Sequence, residues 1–319
     1  IKFIRENLEL CKQAAKNKNR EVDWETLLKL DDRRRELIGK VEVLRAERNI
    51  ISNKKQETSD KRGKEIKQEL KDLEGELRSV EGQFGLLMLT VPNVPHESVP
   101  VGKDASGNKE IKTWGKIPKF STKGGPASGR DFPAKDHIEL AKALDLIDLE
   151  RGAKIGGFRA YFLKNEAAQM ELAIMWYTMS KLAGKGYTPI IAPSLVREFT
   201  LVGNGQFPWG REEVYHLEKD DLYLAGTAEV PVTAYFSDEV LQEKDLPKKF
   251  VAFSPCFRRE AGSYGKDTKG LYRLHQFNKI EQVIISTNDL NNSLTLHEEL
   301  LANAEEILQD LELPYRVLL

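Results

Sequence analysis

Apolar residues in the first ninety positions follow one long rhythm. Leu30, Leu37, Val41, Leu44 and Ile51 recur at steps of three, four or seven. After a break at 59–63, the series Ile66, Leu70, Leu73, Leu77, Val80, Phe84, Leu87, Val91 keeps alternating four and three. A pattern sustained this long predicts a coiled-coil seam, and the short connector makes its two helices antiparallel neighbours in one hairpin. At 1.5 Å rise per residue, about 27 residues per helix give an arm of about 40 Å. Ahead of it a short helix over 1–16 is expected, and Asp23 stands where its carboxylate can cap a second one at WETLLKL.

The rhythm then changes. Prolines and glycines through 92–133 mark loops, Asp136 caps a short helix over 136–148, and a strand is expected at 158–163. The helix that follows, 166–183, carries Met170, Leu172, Ile174, Trp176, Met179 and Leu182 on nearly every side. Such a helix has to be covered all round, either at the centre of its domain or by a second subunit. Two strands at 214–217 and 221–225 precede the sharpest alternation in the chain, and a helix over 290–311, structural in character, follows it. In the stretch from Lys249, Cys256, Arg258 and Glu260 point to one side, and Phe253, Pro255 and Phe257 to the other. A loop over 261–270 contains Gly262, Gly265 and Gly270. Beyond it Arg273, His275, Phe277, Lys279 and Glu281 share one face, with Leu274, Ile280 and Ile284 opposite. The expected class is α+β: a helical arm domain over 1–100, then a sheet domain over 101–319.

Composition narrows the options. Of 319 residues, 31% are charged, yet they balance to a formal charge of -1. Any nucleic-acid surface must therefore be local. One candidate is the distal arm, where Arg45, Arg48, Lys54, Lys55, Lys61, Arg62, Lys64 and Lys67 outnumber Glu47, Glu57, Asp60 and Glu65. Arg48 occupies a seam position, from which its stem can pack while the guanidinium reaches water. These residues describe an ordinary solvated coiled coil equally well as a surface that meets phosphates. Two cysteines, far apart and without metal spacing, point to a reducing, cytoplasmic compartment with no disulfide framework or structural zinc. No apolar run reaches membrane-spanning length, and no signal peptide is visible.

The hairpin carries the candidate chemistry. A solvated sheet face could have this composition, but a phenylalanine in its middle and apolar residues opposite argue for a ligand-binding face over a core. A nucleotide suits it: a ring to lie on Phe277, phosphates for the arginines, an amine for Glu260 or Glu281. FRRE at 257–260, joined through a glycine-bearing loop to GLYRLHQFNKIE at 270–281, closely resembles motif 2 of class II aminoacyl-tRNA synthetases, in its seryl-tRNA synthetase version. TAE at 227–229 and the junction VPNVPHESVP at 91–100 extend the resemblance, and GYTPIIAPSLV at 186–196 resembles motif 1. Arg259 stands where common bacterial members have serine, and Ala225–Gly226 where many have isoleucine–proline; neither change removes a functional group.

The resemblance implies a class II antiparallel catalytic sheet flanked by helices, with ATP, L-serine, Mg²⁺ and tRNA as ligands. By family pattern Arg258 holds the α-phosphate, Glu260 contacts the nucleotide, Phe277 stacks on adenine and Leu274 lines the pocket. Thr227, Ala228, Glu229 and Glu281 bind serine; Arg273 and His275 are weaker candidates for the nucleotide or the tRNA end. The arm lies across tRNA(Ser), and across tRNA(Sec) where one exists, through the basic residues named above. Residues 166–196 form a homodimer interface. Family members continue into motif 3, so the γ-phosphate arginine and the main Mg²⁺ carboxylate are expected past Leu319, with no metal ligand in this chain. A relative that activates a small amino acid without charging tRNA, a prolyl or threonyl enzyme, and a non-catalytic RNA-binding coiled coil are the competing readings.

Overall fold

The computed structural model describes residues 1–53, 58–116, 135–261 and 270–319. They fall into two compact units, 1–110 with 318–319, and 111–317. No helix among the described residues is long and apolar enough to cross a membrane.

In the first unit the expected helix over 1–16 is two helices, α1 (Lys2–Glu6) and α2 (Leu8–Asn17). Asn7 leaves helical geometry between them (φ -134°, ψ 42°) and its side-chain amide donates to the Phe3 carbonyl. Asparagine's short polar side chain competes with the helix ladder in this way. Asp23 caps as expected, accepting from the Thr26 amide at 3.0 Å. The helix it opens, α3 (Trp24–Asn53), runs straight into the arm for 30 residues, and α4 (Thr58–Met88) returns over 31. The break expected at 59–63 is therefore helical, and the connector falls at 54–57, outside the described residues.

The seam packs largely as the rhythm requires. Leu37, Val41, Ile66 and Leu70 are buried, and Leu44, Ile51, Leu73 and Leu77 pack against the last three. At its base Ile4, Cys11 and Leu27 meet Phe84, Leu87, Met88 and Val91. One seam residue is a surprise: Asp31 is fully buried, bonded by Arg5 at 2.7 Å and by Arg34 and Arg35 at 3.0 Å. Burial pushes its carboxyl up, but the arginine hydrogen bonds outweigh burial and hold it below the usual carboxylate range.

β1 (Glu110–Trp114) belongs to the second unit from Ile111 onward. A capping box of Asp136 and Glu139 starts α5 (His137–Ala143). The strand expected over 158–163 is shorter. After β2 (Ile147–Asp148), Asp148 caps α6 (Leu149–Gly156), and only β3 (Phe162–Leu163) remains to pair with β2. Residues 158–159 form a turn instead, and Gly152 in α6 lies so close to the returning chain that a Cβ there would sit 2.5 Å from Tyr161 Cα. The apolar helix is α7 (Asn165–Gly184). It is covered on one side alone: Leu182 is buried, whereas Met170, Leu172 and Trp176 are 57–72% exposed.

Next come β4 (Thr188–Ile191), β5 (Leu195–Val196), α8 (Glu198–Gly203), β6 (Tyr215–Leu217), β7 (Leu222–Leu224) and α9 (Glu229–Thr233). The central hairpin is β8 (Lys248–Phe257) and β9 (Gln276–Ile285), paired over their full lengths, with β4 added parallel to β8. After α10 (Leu290–Asp310), β10 (Tyr315–Leu318) pairs with β1. One hairpin face, Val251, Ile280 and Ile284, packs on Leu182 and Tyr187. At the distal end of the opposite face Phe250, Ala252 and Val283 pack on Ala228 and Val232. What remains open is the part of that opposite face carrying Phe277, Lys279 and Glu281.

Candidate active site and arm surface

Register explains how the open face is built. Opposed residues of an antiparallel pair share a face, so Cys256, Ser254 and Ala252 stand beside Phe277, Lys279 and Glu281 respectively. β9 thus supplies large reactive side chains and β8 supplies small ones, each at most 1% exposed. The alternation read from sequence holds from Gln276 onward. Arg273 and His275 do not continue it, because β9 starts at Gln276 and both lie in the preceding turn.

Arg258 follows the last residue of β8. Its amide donates to the His275 carbonyl at 3.0 Å, and its Nε donates to the Gly226 carbonyl at 3.2 Å. These bonds lay the guanidinium over Phe277, 5.2 Å from the ring centroid. Gly226 permits the approach, since a Cβ there would come within 3.3 Å of Arg258 Cγ. Glu260 adopts a left-handed backbone (φ 52°), which turns its carboxylate onto Arg273 at 2.7 Å. Arg258, Glu260, Arg273, Leu274 and Phe277 together line one cavity of about 610 Å³, with Leu271 and Tyr272. A planar ring and two guanidiniums beside one carboxylate suit a purine bearing phosphates.

His137 braces this cavity, a role nothing in the sequence signals. Its Nε2 accepts from the Leu271 amide at 3.3 Å and its ring tilts against Tyr272 at 4.5 Å. Gly270, at φ 79°, has no room for a side chain here, as a Cβ would lie 2.0 Å from His137 Nε2.

Glu281 lies outside that cavity, four residues farther along β9, or about 13 Å. Thr227 donates to Glu281 Oε2 at 2.7 Å, while its own hydroxyl oxygen accepts from Lys279 Nζ at 2.7 Å and from the Glu229 amide at 3.1 Å. Lys279 also bonds Glu281 directly. The Glu229 carboxylate is exposed at the start of α9. Ala228 is fully buried in the core, so its side chain lines nothing. His275 sits apart from the Arg258 cavity: its ring meets Tyr215 edge-on at 6.3 Å, in a separate hollow with Tyr161 and Phe257.

The basic arm residues divide. Arg45 is paired with Glu74 at 2.9 Å, and Arg62 with Glu47 and Glu69 at 2.8 and 3.1 Å, across and along the hairpin. Arg48 is exposed, and lines an open groove of about 590 Å³ with Lys64, Lys67, Lys71 and Arg78. Lys71 and Arg78 escape the sequence reading, although Lys64, Lys67, Lys71 and Arg78 keep the three, four and seven spacing of one helix face. Lys61 is exposed; Lys54 and Lys55 lie outside the described residues.

Comparison with known proteins adds a second line of evidence. Residues 1–95 match the model of the seryl-tRNA synthetase N-terminal domain, and 213–319 that of the tRNA synthetase class II core domain (G, H, P, S and T). A serine–tRNA ligase of Hydrogenobaculum sp. is 47% identical over 328 residues, covering 99% of this chain and 75% of the relative. One from Bdellovibrio bacteriovorus is 44% identical over 316 residues, covering 96% and 70%. The crystal structure of Pyrococcus horikoshii seryl-tRNA synthetase complexed with ATP superposes with a TM-score of 0.83 at 34% identity, covering 99% of this chain and 75% of that one. The cytoplasmic serine–tRNA ligase of Naegleria fowleri in complex with AMP gives 0.81 at 30%, covering 98% and 72%.

Proposed function

The chain belongs to the seryl-tRNA synthetase family, and we propose that its hairpin joins serine to ATP while its arm holds the tRNA that receives the seryl group. Its function is that of a serine–tRNA ligase of class II, with ATP as substrate. The observation that carries the site assignment is the Arg258 guanidinium lying over Phe277 in one cavity with Glu260 and Arg273, and the Thr227–Glu281 pair farther along the same strand face.

Adenine stacks on Phe277 with Leu274 at its edge, and Glu260 contacts the nucleotide. Arg258 meets the α-phosphate and Arg273 the phosphates. Glu281, Thr227 and Glu229 take serine's ammonium and hydroxyl, with the backbone of Ala228 between them. The serine carboxylate attacks the α-phosphorus, a new O–P bond forms, and the bond to the β-phosphate breaks to release pyrophosphate. A terminal ribose hydroxyl of tRNA then attacks the seryl carbonyl, and AMP leaves. The carboxylate is already a nucleophile, so no side-chain base is required and orientation with charge stabilisation supplies the acceleration. Mg²⁺ enters with the phosphates of ATP. Among the described residues no group of three or more His, Cys, Asp or Glu converges as a metal site.

The open groove of Arg48, Lys64, Lys67, Lys71 and Arg78 supports phosphate contacts with tRNA(Ser), and with tRNA(Sec) where it exists. Met170, Leu172 and Trp176 on α7, with Ile191 80% exposed on β4, support a homodimer through 166–196. The two buried, unpaired cysteines support a cytoplasmic setting. Pyrophosphate exchange across the amino acids, followed by charging of tRNA with a long variable arm, tests the reading. Exchange with serine alone is expected; preference for proline or threonine, or exchange without charging, overturns it.

A further inference from the structure

Lys279 has no part in the scheme above, yet it is the residue most tightly woven into the serine end of the site. Its ammonium donates to Thr227 Oγ1 at 2.7 Å and to Glu281 Oε2, and Thr227 donates to that same Oε2. Both bonds fall on one carboxylate oxygen. Among the described residues Oε1 takes no bond, so the carboxylate is held through one oxygen and the other is left without a partner. Lys279 and Glu281 are 30% and 23% exposed, enclosed enough for charge to matter and open enough to admit a small ligand. An ammonium has three donors, and protein acceptors among the described residues use two.

We propose that Lys279 is the positioning and specificity residue that makes this end of the site select a zwitterion. This inference rests on the assignment of Glu281 and Thr227 to serine. The lysine fixes Glu281 so that Oε1 faces the substrate ammonium, and its own charge offsets that of Glu281. The Lys279–Glu281 pair is then neutral, and the third ammonium donor is left for the substrate carboxylate. An amine without a carboxylate or any acyl oxygen, such as ethanolamine, meets the repulsion of Lys279 and gains nothing from that donor. Parity along β9 places Lys279 between Phe277 and Glu281, which is where the reacting carboxylate must lie if adenine and ammonium occupy the two ends.

The test uses Lys279→Met, which keeps the aliphatic stem and removes the charge, in the intact protein. Loss of a charged hydrogen bond predicts a rise of about ten- to a hundredfold in the KM for serine in pyrophosphate exchange, with the KM for ATP unchanged. Inhibition by ethanolamine should move the opposite way and tighten about threefold or more, because a like charge has gone. A purely structural role would weaken both ligands together, and that result overturns the proposal, as does an unchanged serine KM. Lys279→Gln provides the same readouts should the methionine variant not fold. Lys279→Cys alkylated with 2-bromoethylamine restores an ammonium at nearly the same reach, and recovery of serine preference is required. Glu281→Gln is the control for the underlying assignment: an intact serine KM there overturns the role of Glu281 itself, whatever Lys279 does.

Discussion

Arg62 on the arm and Lys279 on the hairpin are both ion-paired cations of similar exposure, and their pairings have opposite consequences. Arg62 meets Glu47 and Glu69 on a solvated helix surface, where the pair ties the two helices and withdraws the guanidinium from any outside phosphate. Lys279 meets a buried hydroxyl and a carboxylate that is itself held by that hydroxyl, so its pair constructs a binding surface. In the distal arm, the cations left for a ligand include Arg48, Lys61, Lys64, Lys67, Lys71 and Arg78, none of which has a partner among the described residues. In the hairpin two of the cations assigned to a ligand are ion-paired, Lys279 with Glu281 and Arg273 with Glu260. A census of charge reads neither correctly, because function depends on what each charge already touches.

The sharpest way to break this contrast is Arg258→Ala. It should lower serine-dependent pyrophosphate exchange by about a hundred- to a thousandfold, the loss expected for one preorganised donor, while the melting temperature holds. Unchanged exchange would remove Arg258 from the α-phosphate. On the arm the largest effect should come from the seam: Leu37→Ala, at a fully buried position, should cost about 2–5 kcal/mol in the stability of the first unit, measured by denaturant unfolding. Charging should fail at temperatures where exchange survives. Lys64→Ala with Lys67→Ala should weaken tRNA binding across sequences and reduce the salt slope by about one for each phosphate left unneutralised, leaving exchange untouched; an unaltered slope would reassign the groove. Asp31 gives a pH signature. Its carboxyl is depressed in the folded chain, so its contribution is present above the unfolded value of about 3.9 and is lost as pH falls through the folded one. The stability gap between the parent and Asp31→Asn should therefore close in acid below about pH 4. Arg62→Ala should leave both stability and tRNA affinity nearly unchanged.

Much of this was legible because periodicity is local. The seam, the Asp23 and Asp136 caps and the β9 alternation all depend on neighbours within a few residues, and they stand where the rhythm put them. What escaped depends on separation. Asn7 interrupts a helix whose apolar pattern runs on, the connector moved to 54–57 because helical geometry persists through Gly63, and a turn at 158–159 takes up part of an expected strand. Within the site, parity said that Lys279 shares a face with Glu281, but not that Thr227, 52 positions away, would join them. Likewise His137 reaches the turn at Gly270 from the start of α5. Ala228 matched a motif while its methyl went to the core, and His275 kept its parity in the sequence but left the strand before parity applied.

The small side chains of β8 leave one further trace. Cys256 is one of two cysteines in the chain, wholly enclosed beside Phe277, and a thiol reagent can reach it only when the groups around it move aside. Its labelling rate is thus a built-in clock for local opening of the site, one that an occupant seated on the neighbouring ring should slow. Cys11, buried in the helical unit, keeps independent time in the same sample.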